Sequence, residues 1–108
     1  MVSEREFIEL ALSFNESIQQ PHFERTGFKV KGKRMFATYL SKDNTANIIL
    51  SLEEQKTFCA LDPEHIHPVP NKWGERGFTT FHLNHLPQEW VQEALYSAYR
   101  ETLKPKKS

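Results

Sequence analysis

The chain has 108 residues, 38% of them hydrophobic and 26% charged, with 14 Lys+Arg against 14 Asp+Glu. That length bounds one domain around one core, and the composition is that of a folded soluble protein rather than a disordered or coiled one. A neutral total argues against strong, general polyanion binding, the single cysteine rules out an internal disulfide, and no run is apolar enough to span a bilayer.

The first element reads as a helix. Ser3 followed by Glu6 makes a capping box, and Phe7, Ile8, Ala11, Leu12 and Phe14 trail at helical spacing. Asn15 to Pro21 breaks that period and allows at most a short edge strand before the proline. Phe28 and Val30 alternate with Lys29 and Lys31, the period of a strand with one buried and one wet face. Gly32 supplies a turn, and Met35 to Leu40, apolar on both sides, suits an inner strand. Ser41 to Thr45 is a turn leading to a third strand over Ala46 to Leu50.

Ser51 and Glu54 repeat the capping box ahead of a short helix that Pro63 closes. The stretch PEHIHPVPNKWGERG predicts an ordered, extended connector in which Ile66 and Val69 pair briefly. In the strand that follows Gly77, Phe78, Thr80 and His82 face one way and Thr79, Phe81 and Leu83 the other. Pro87 sits in the first turn of a final helix whose apolar positions run from Trp90 to Leu103. The expected fold is therefore α+β: a mainly antiparallel sheet with N-terminal, short middle and C-terminal helices on one face and the other face open. The domain spans 1–103, and KPKKS at 104–108 is expected to be a flexible basic tail.

The pattern PHFERTGFKVKGKRMFATYL, then PVPNKWGERGFTTFHL, then ALYSAYRETL resembles the MmcQ/YjbR family. Its sharpest parts are Gly32-Lys33 with Phe36-Ala37, and Trp73-Gly74 with Gly77-Phe78. The resemblance implies a CyaY-like fold, shared in outline with bacterial frataxin homologues. It also implies a DNA-binding role through likeness to a double-wing domain of a phage transcription factor. Glu24 and Thr79-Thr80 depart from the family pattern, and Glu24 puts a negative charge beside the basic face. The family carries no catalytic motif to transfer.

Thr26 to Leu40 carries five cations counted with Arg25 and no acidic residue. Arg25, Lys29, Lys31, Lys33 and Arg34 fit phosphate contact, since lysines two apart on a strand share a face; they equally fit a solvated edge that blocks strand pairing. Lys72 and Arg76 are the natural second wing, placed to flank an exposed rim of Trp73 and offer stacking beside charge, so Trp73 joins the candidate nucleic-acid-binding residues; against this, its position next to Gly74 points to packing in the core. A protein-interaction domain with an open sheet face, anchored by Tyr39, Phe81 or Trp73, is the reading from a different class.

His65 with His67, and His82 with His85, have spacings that permit metal binding, but the second pair straddles a strand end and does not converge without a turn. Iron handling follows by analogy with frataxins, whose acidic first helix has a modest counterpart in Glu4, Glu6, Glu9 and Glu16, carboxylates that equally suit a helix dipole. Cys59, Asp62 and His65 can be drawn as a nucleophile with partners, yet Phe58, Ala60 and Leu61 mark a buried, inert thiol. The expectation is a non-enzymatic, monomeric binding domain with no cofactor and no metal. Its partner is DNA or another protein and not a membrane. The charged N-terminus and lone cysteine set it in the cytoplasm.

Overall fold

A computed structural model describes residues 1–105. The elements are α1 (Glu4–Leu12), β1 (Ser17–His22), β2 (Arg25–Val30), β3 (Met35–Leu40), β4 (Thr45–Ile49), α2 (Leu52–Leu61), β5 (Ile66–Pro68), α3 (Lys72–Glu75), β6 (Phe78–His82) and α4 (Gln88–Leu103), with a 3-10 turn at Leu83–His85. The strands form one six-stranded sheet in the order β1-β2-β3-β4-β6-β5, with every pairing antiparallel. The α+β architecture is as the sequence predicts. The tail expected at 104–108 falls largely outside the described residues, and Lys104 pairs with Glu101 at 3.2 Å.

Register explains the two faces. Phe28 pairs with Ala37, Ala37 with Ile48, and Ile66 with Phe81, so these positions share the helix-covered side and are fully buried. There α1 contributes Phe7, which lies 5.7 Å from Phe28 and 5.4 Å from Tyr39, while Phe58 of α2 meets Phe81 at 6.0 Å. Val91, Ala94, Leu95 and Ala98 of α4 complete this layer.

A shift of register between Phe28 and Lys29 leaves Phe36 without a Cα partner. This bulge turns Phe36 inward beside Ala37, toward Phe14 at 6.2 Å and Tyr99 at 6.1 Å, and sends Met35 to the opposite face with Lys29. The unbroken apolar run MFATYL reflects that bulge as well as an inner position.

Both N-terminal caps act as the sequence indicates, although only the first is reciprocal: Ser3 and Glu6 satisfy each other's backbone N–H, whereas Ser51 only accepts from the Glu54 N–H. Three local expectations are corrected. The strand β1 runs through Pro21 to His22, because an edge strand has one side that needs no donor. Pro87 is the N-cap of α4 rather than part of its first turn. The connector after Pro70 closes into the single helical turn α3 instead of staying extended.

Two glycines hold that turn against the sheet. A Cβ on Gly74 would lie 2.0 Å from the Val69 carbonyl oxygen, and one on Gly77, at φ +99, would lie 1.8 Å from that of Leu50. The backbone needs both approaches: Val69 N–H donates to Phe78 and Leu50 N–H to Gly77, each at 2.9 Å. The buried Gln55 of α2 adds its Nε2, which donates to the Gly74 carbonyl at 3.0 Å and lies 3.1 Å from Thr79 Oγ1. Thus α3 sits at the margin of the sheet face that the other helices leave bare.

Candidate functional site

The helix-free face is built from the alternate residues of each strand. Gln20, Gly27, Thr38, Asn47, Thr80 and His67 form one row across all six strands, because each is paired with the next. A second row brings Ile49 beside Phe78. Trp73 packs edge-on against Phe78, with ring centroids 5.1 Å apart, and remains 53% exposed. The core position expected for Trp73 is therefore overturned: Gly74 approaches the Val69 carbonyl just past β5, and the preceding indole lies on the sheet margin.

Arg25 lies on this bare face, half-buried. Its Nε donates to Thr38 Oγ1 at 2.9 Å, while Nη2 is buried with no hydrogen-bond partner. Burial pushes its guanidinium below the usual arginine pKa, opposed by Glu24 and Asp43. Arg25, Thr38, Asn47, Met35, Ile49, Phe78 and Trp73 are among the residues lining a groove of about 380 Å³ that His22 also borders.

Lys29 is half-buried on the same side, and Lys31, Lys33 and Arg34 stand exposed around the Gly32 turn, where φ is +78. Arg34 donates to the Glu101 carbonyl at 3.1 Å, which fixes the end of the hairpin against α4. Lys72 and Arg76 are exposed on α3 and at its C-cap, and the Arg76 guanidinium carbon lies 5.9 Å from the Trp73 ring centroid. Arg34 and Arg76 line the walls of one cleft of about 690 Å³. One cation from each basic segment thus shares the cavity, with Glu75 and Glu101 also in its lining. Among the described residues, the ion pairs involve Arg5, His65 and Lys104, so Lys29, Lys31, Lys33, Arg34, Lys72 and Arg76 make no direct ion pair, although Glu75 and Glu101 share the cleft with Arg34 and Arg76.

Sequence reasoning missed Phe23. His22 pairs with Arg25, which leaves Phe23 and Glu24 as a two-residue hairpin turn, and Phe23 at φ 58 projects its ring into solvent at 96% exposure. Phenylalanine is not a turn-forming residue, so composition held no sign of this; a bulky side chain with positive φ is visible only in the backbone. The other proposed anchors fail: Tyr39 and Phe81 are 2% and 0% exposed, on the helix-covered side.

The histidines converge more than spacing suggested, because the 3-10 turn after His82 brings His85 back. His65 and His85 stack at 4.3 Å, and His67 Nε2 lies 2.8 Å from His82 Nε2. Burial, then the neighbouring His67, His65 and His85, push the His82 pKa down, with Asp43 opposing. Even so, no group of three or more His, Cys, Asp or Glu among the described residues is placed to hold a metal ion. Asp62 binds His65 Nδ1 at 2.9 Å, and that contact holds its carboxyl below the usual range. Burial pushes the Cys59 thiol upward, the opposite of what a nucleophile needs. No helix among the described residues is long and apolar enough to cross a membrane.

Three comparisons bear on this geometry. A family model described as YjbR matches residues 12–101. The crystal structure of Deinococcus radiodurans protein DR2400, a DUF419 domain, is similar at a TM-score of 0.82 and 20% identity, over 96% of this chain and 80% of that one. At that identity the likeness concerns the fold. No curated protein matches the sequence significantly.

Proposed function

The chain belongs to the YjbR family, and on that footing we propose that it is a non-enzymatic domain that binds single-stranded nucleic acid along the margin of its bare sheet face. The observation that supports this reading most directly is the cleft shared by Arg34 and Arg76 beside an exposed Trp73. A strand of nucleic acid presents phosphates at regular intervals and bases with apolar faces. Exposed cations outside any direct ion pair meet the first, and an indole with a guanidinium close to its ring meets the second.

Single strands suit this surface better than a duplex. Trp73 lies against Phe78 with one side accessible, and stacking on it requires an unpaired base. Phe23, beside His22 at 5.1 Å, offers a further exposed ring next to a residue that borders the groove. Glu75 and Glu101 in the cleft limit how closely a densely charged duplex backbone approaches. Binding of a fluorescent oligothymidylate tests the reading: K31E with K33E, and separately W73A, are each expected to weaken it at least tenfold. Unchanged affinity in both variants overturns it.

A further inference from the structure

We infer that Glu75 gives the cleft between the hairpin and α3 a preference for guanine, whose N1–H and N2–H donate together to its carboxylate. The inference rests on the nucleic-acid reading and names the base that this cleft takes.

A carboxylate is an unexpected group on a surface that meets phosphates. Glu75 lines the same cleft as Arg34 and Arg76, where its charge repels each phosphate that those cations attract. It is exposed and takes part in none of the ion pairs among the described residues. Glu101, the other carboxylate of the lining, is held differently: its Oε1 lies 3.2 Å from Lys104 Nζ, and its carbonyl accepts from Arg34. Glu75 is therefore the carboxylate that a ligand meets.

An ionised carboxylate offers two acceptor oxygens side by side and no donor. Among the four bases, guanine alone presents two adjacent N–H donors on one edge, the same fork that an arginine presents to a carboxylate. Adenine and cytosine each set one amino group beside a ring-nitrogen acceptor, and thymine N3–H lies between two carbonyls; both arrangements turn acceptors toward the carboxylate. The donor edge of guanine is occupied by pairing in a duplex and open in a single strand, so the same cleft selects the base and the strand state.

The rest of the lining suits a base. Ile49, Leu52 and Phe78 supply apolar surface, with Leu52 53% exposed, and about 690 Å³ has room for a nucleotide. Glu75 ends α3 and Arg76 follows at its C-cap, so one turn of chain supplies both a base contact and a phosphate contact. The close approaches of Gly74 and Gly77 to the Val69 and Leu50 carbonyls fix the backbone from which both side chains extend.

The test compares binding of the full chain to oligothymidylate and to the same strand carrying guanine, hypoxanthine or adenine at its centre. Guanine is expected to raise affinity about tenfold over oligothymidylate. Hypoxanthine, which lacks the N2 amino group, and adenine should lose most of that gain, and E75Q should remove the gain from guanine. Only the ratio between strands is read, so phosphate contacts common to all of them cancel. Equal affinity for all four strands, a gain that hypoxanthine or adenine matches, or a guanine gain that E75Q retains overturns the inference while the nucleic-acid reading stands. No binding of any strand overturns both.

Discussion

Gln55 donates from Nε2 to the carbonyl oxygen of Gly74 at 3.0 Å, across the gap between a helix on one side of the sheet and the single turn that carries Trp73 on its margin. The same amide lies 3.1 Å from Thr79 Oγ1 and 3.3 Å from the Phe78 carbonyl. One buried side chain thus fastens the aromatic part of the proposed surface to the body of the domain.

Replacing Gln55 by leucine keeps the volume and removes the amide's hydrogen bonds, while the Gly74 and Phe78 carbonyls keep the N–H groups of Gly77 and Val69. It should destabilise the domain by about 0.5–1.5 kcal/mol, the net worth of a hydrogen bond whose acceptors retain other partners. Urea unfolding of Q55L against the parent protein measures this, and an unchanged midpoint would show that the amide has no structural role.

The two positive-φ glycines should respond unequally to alanine. At Gly32 a Cβ meets nothing within 4 Å, so G32A bears only the conformational cost of about 1 kcal/mol. At Gly77 the same change also drives a Cβ into the Leu50 carbonyl, so G77A should cost roughly 3 kcal/mol or prevent folding. Thermal melts of the pair give the ranking, and equal losses would contradict the close approach at Gly77.

Acid should weaken the fold through His82. Its pKa is depressed in the folded state, so the unfolded chain takes up the proton first and stability falls as pH drops through the unfolded value near 6.5. The loss levels off once pH is below the folded value. The groups facing His82 are His67, His65 and His85, which oppose its protonation, and Asp43, which favours it. Melting temperature recorded from about pH 7.5 to about pH 5 should decline in the parent protein and less in H82Q. A parallel decline in both would place the effect elsewhere.

Cys59 should react slowly with a disulfide reagent near neutral pH, since burial disfavours its thiolate. Denaturant should restore the rate of an ordinary thiol. Fast modification of the native protein would reopen a chemical role for this residue.

Much of the fold was legible in the sequence because its signals are local. The capping box at Ser3, the turn at Gly32 and the alternation from Phe78 to His82 each state their structure in a few residues. Half of the site was legible too, as a run of cations around one glycine. The other half depends on long-range geometry. Trp73 looked like a core residue because tryptophan beside glycine usually packs, and only the closeness of Gly74 to Val69 shows that the indole is left outside. The meeting of His65 with His85 required a 3-10 turn that no spacing encodes. Arg25 was chosen for its charge, whereas its distinguishing property is an unpaired, buried nitrogen that depends on Thr38 of the next strand.

The central claim is that cations of the hairpin and of the Trp73 turn contact one nucleic-acid strand together, and a salt titration of oligothymidylate binding tests it most directly. If about five phosphates are neutralised, log affinity against log salt should fall with a slope of roughly −3.5, a loss of about a hundredfold between about 50 and about 200 mM. R76A should make that slope shallower by somewhat less than one, as expected for one lost phosphate contact. A flat salt response, or a slope that R76A and K33A leave untouched, would contradict it.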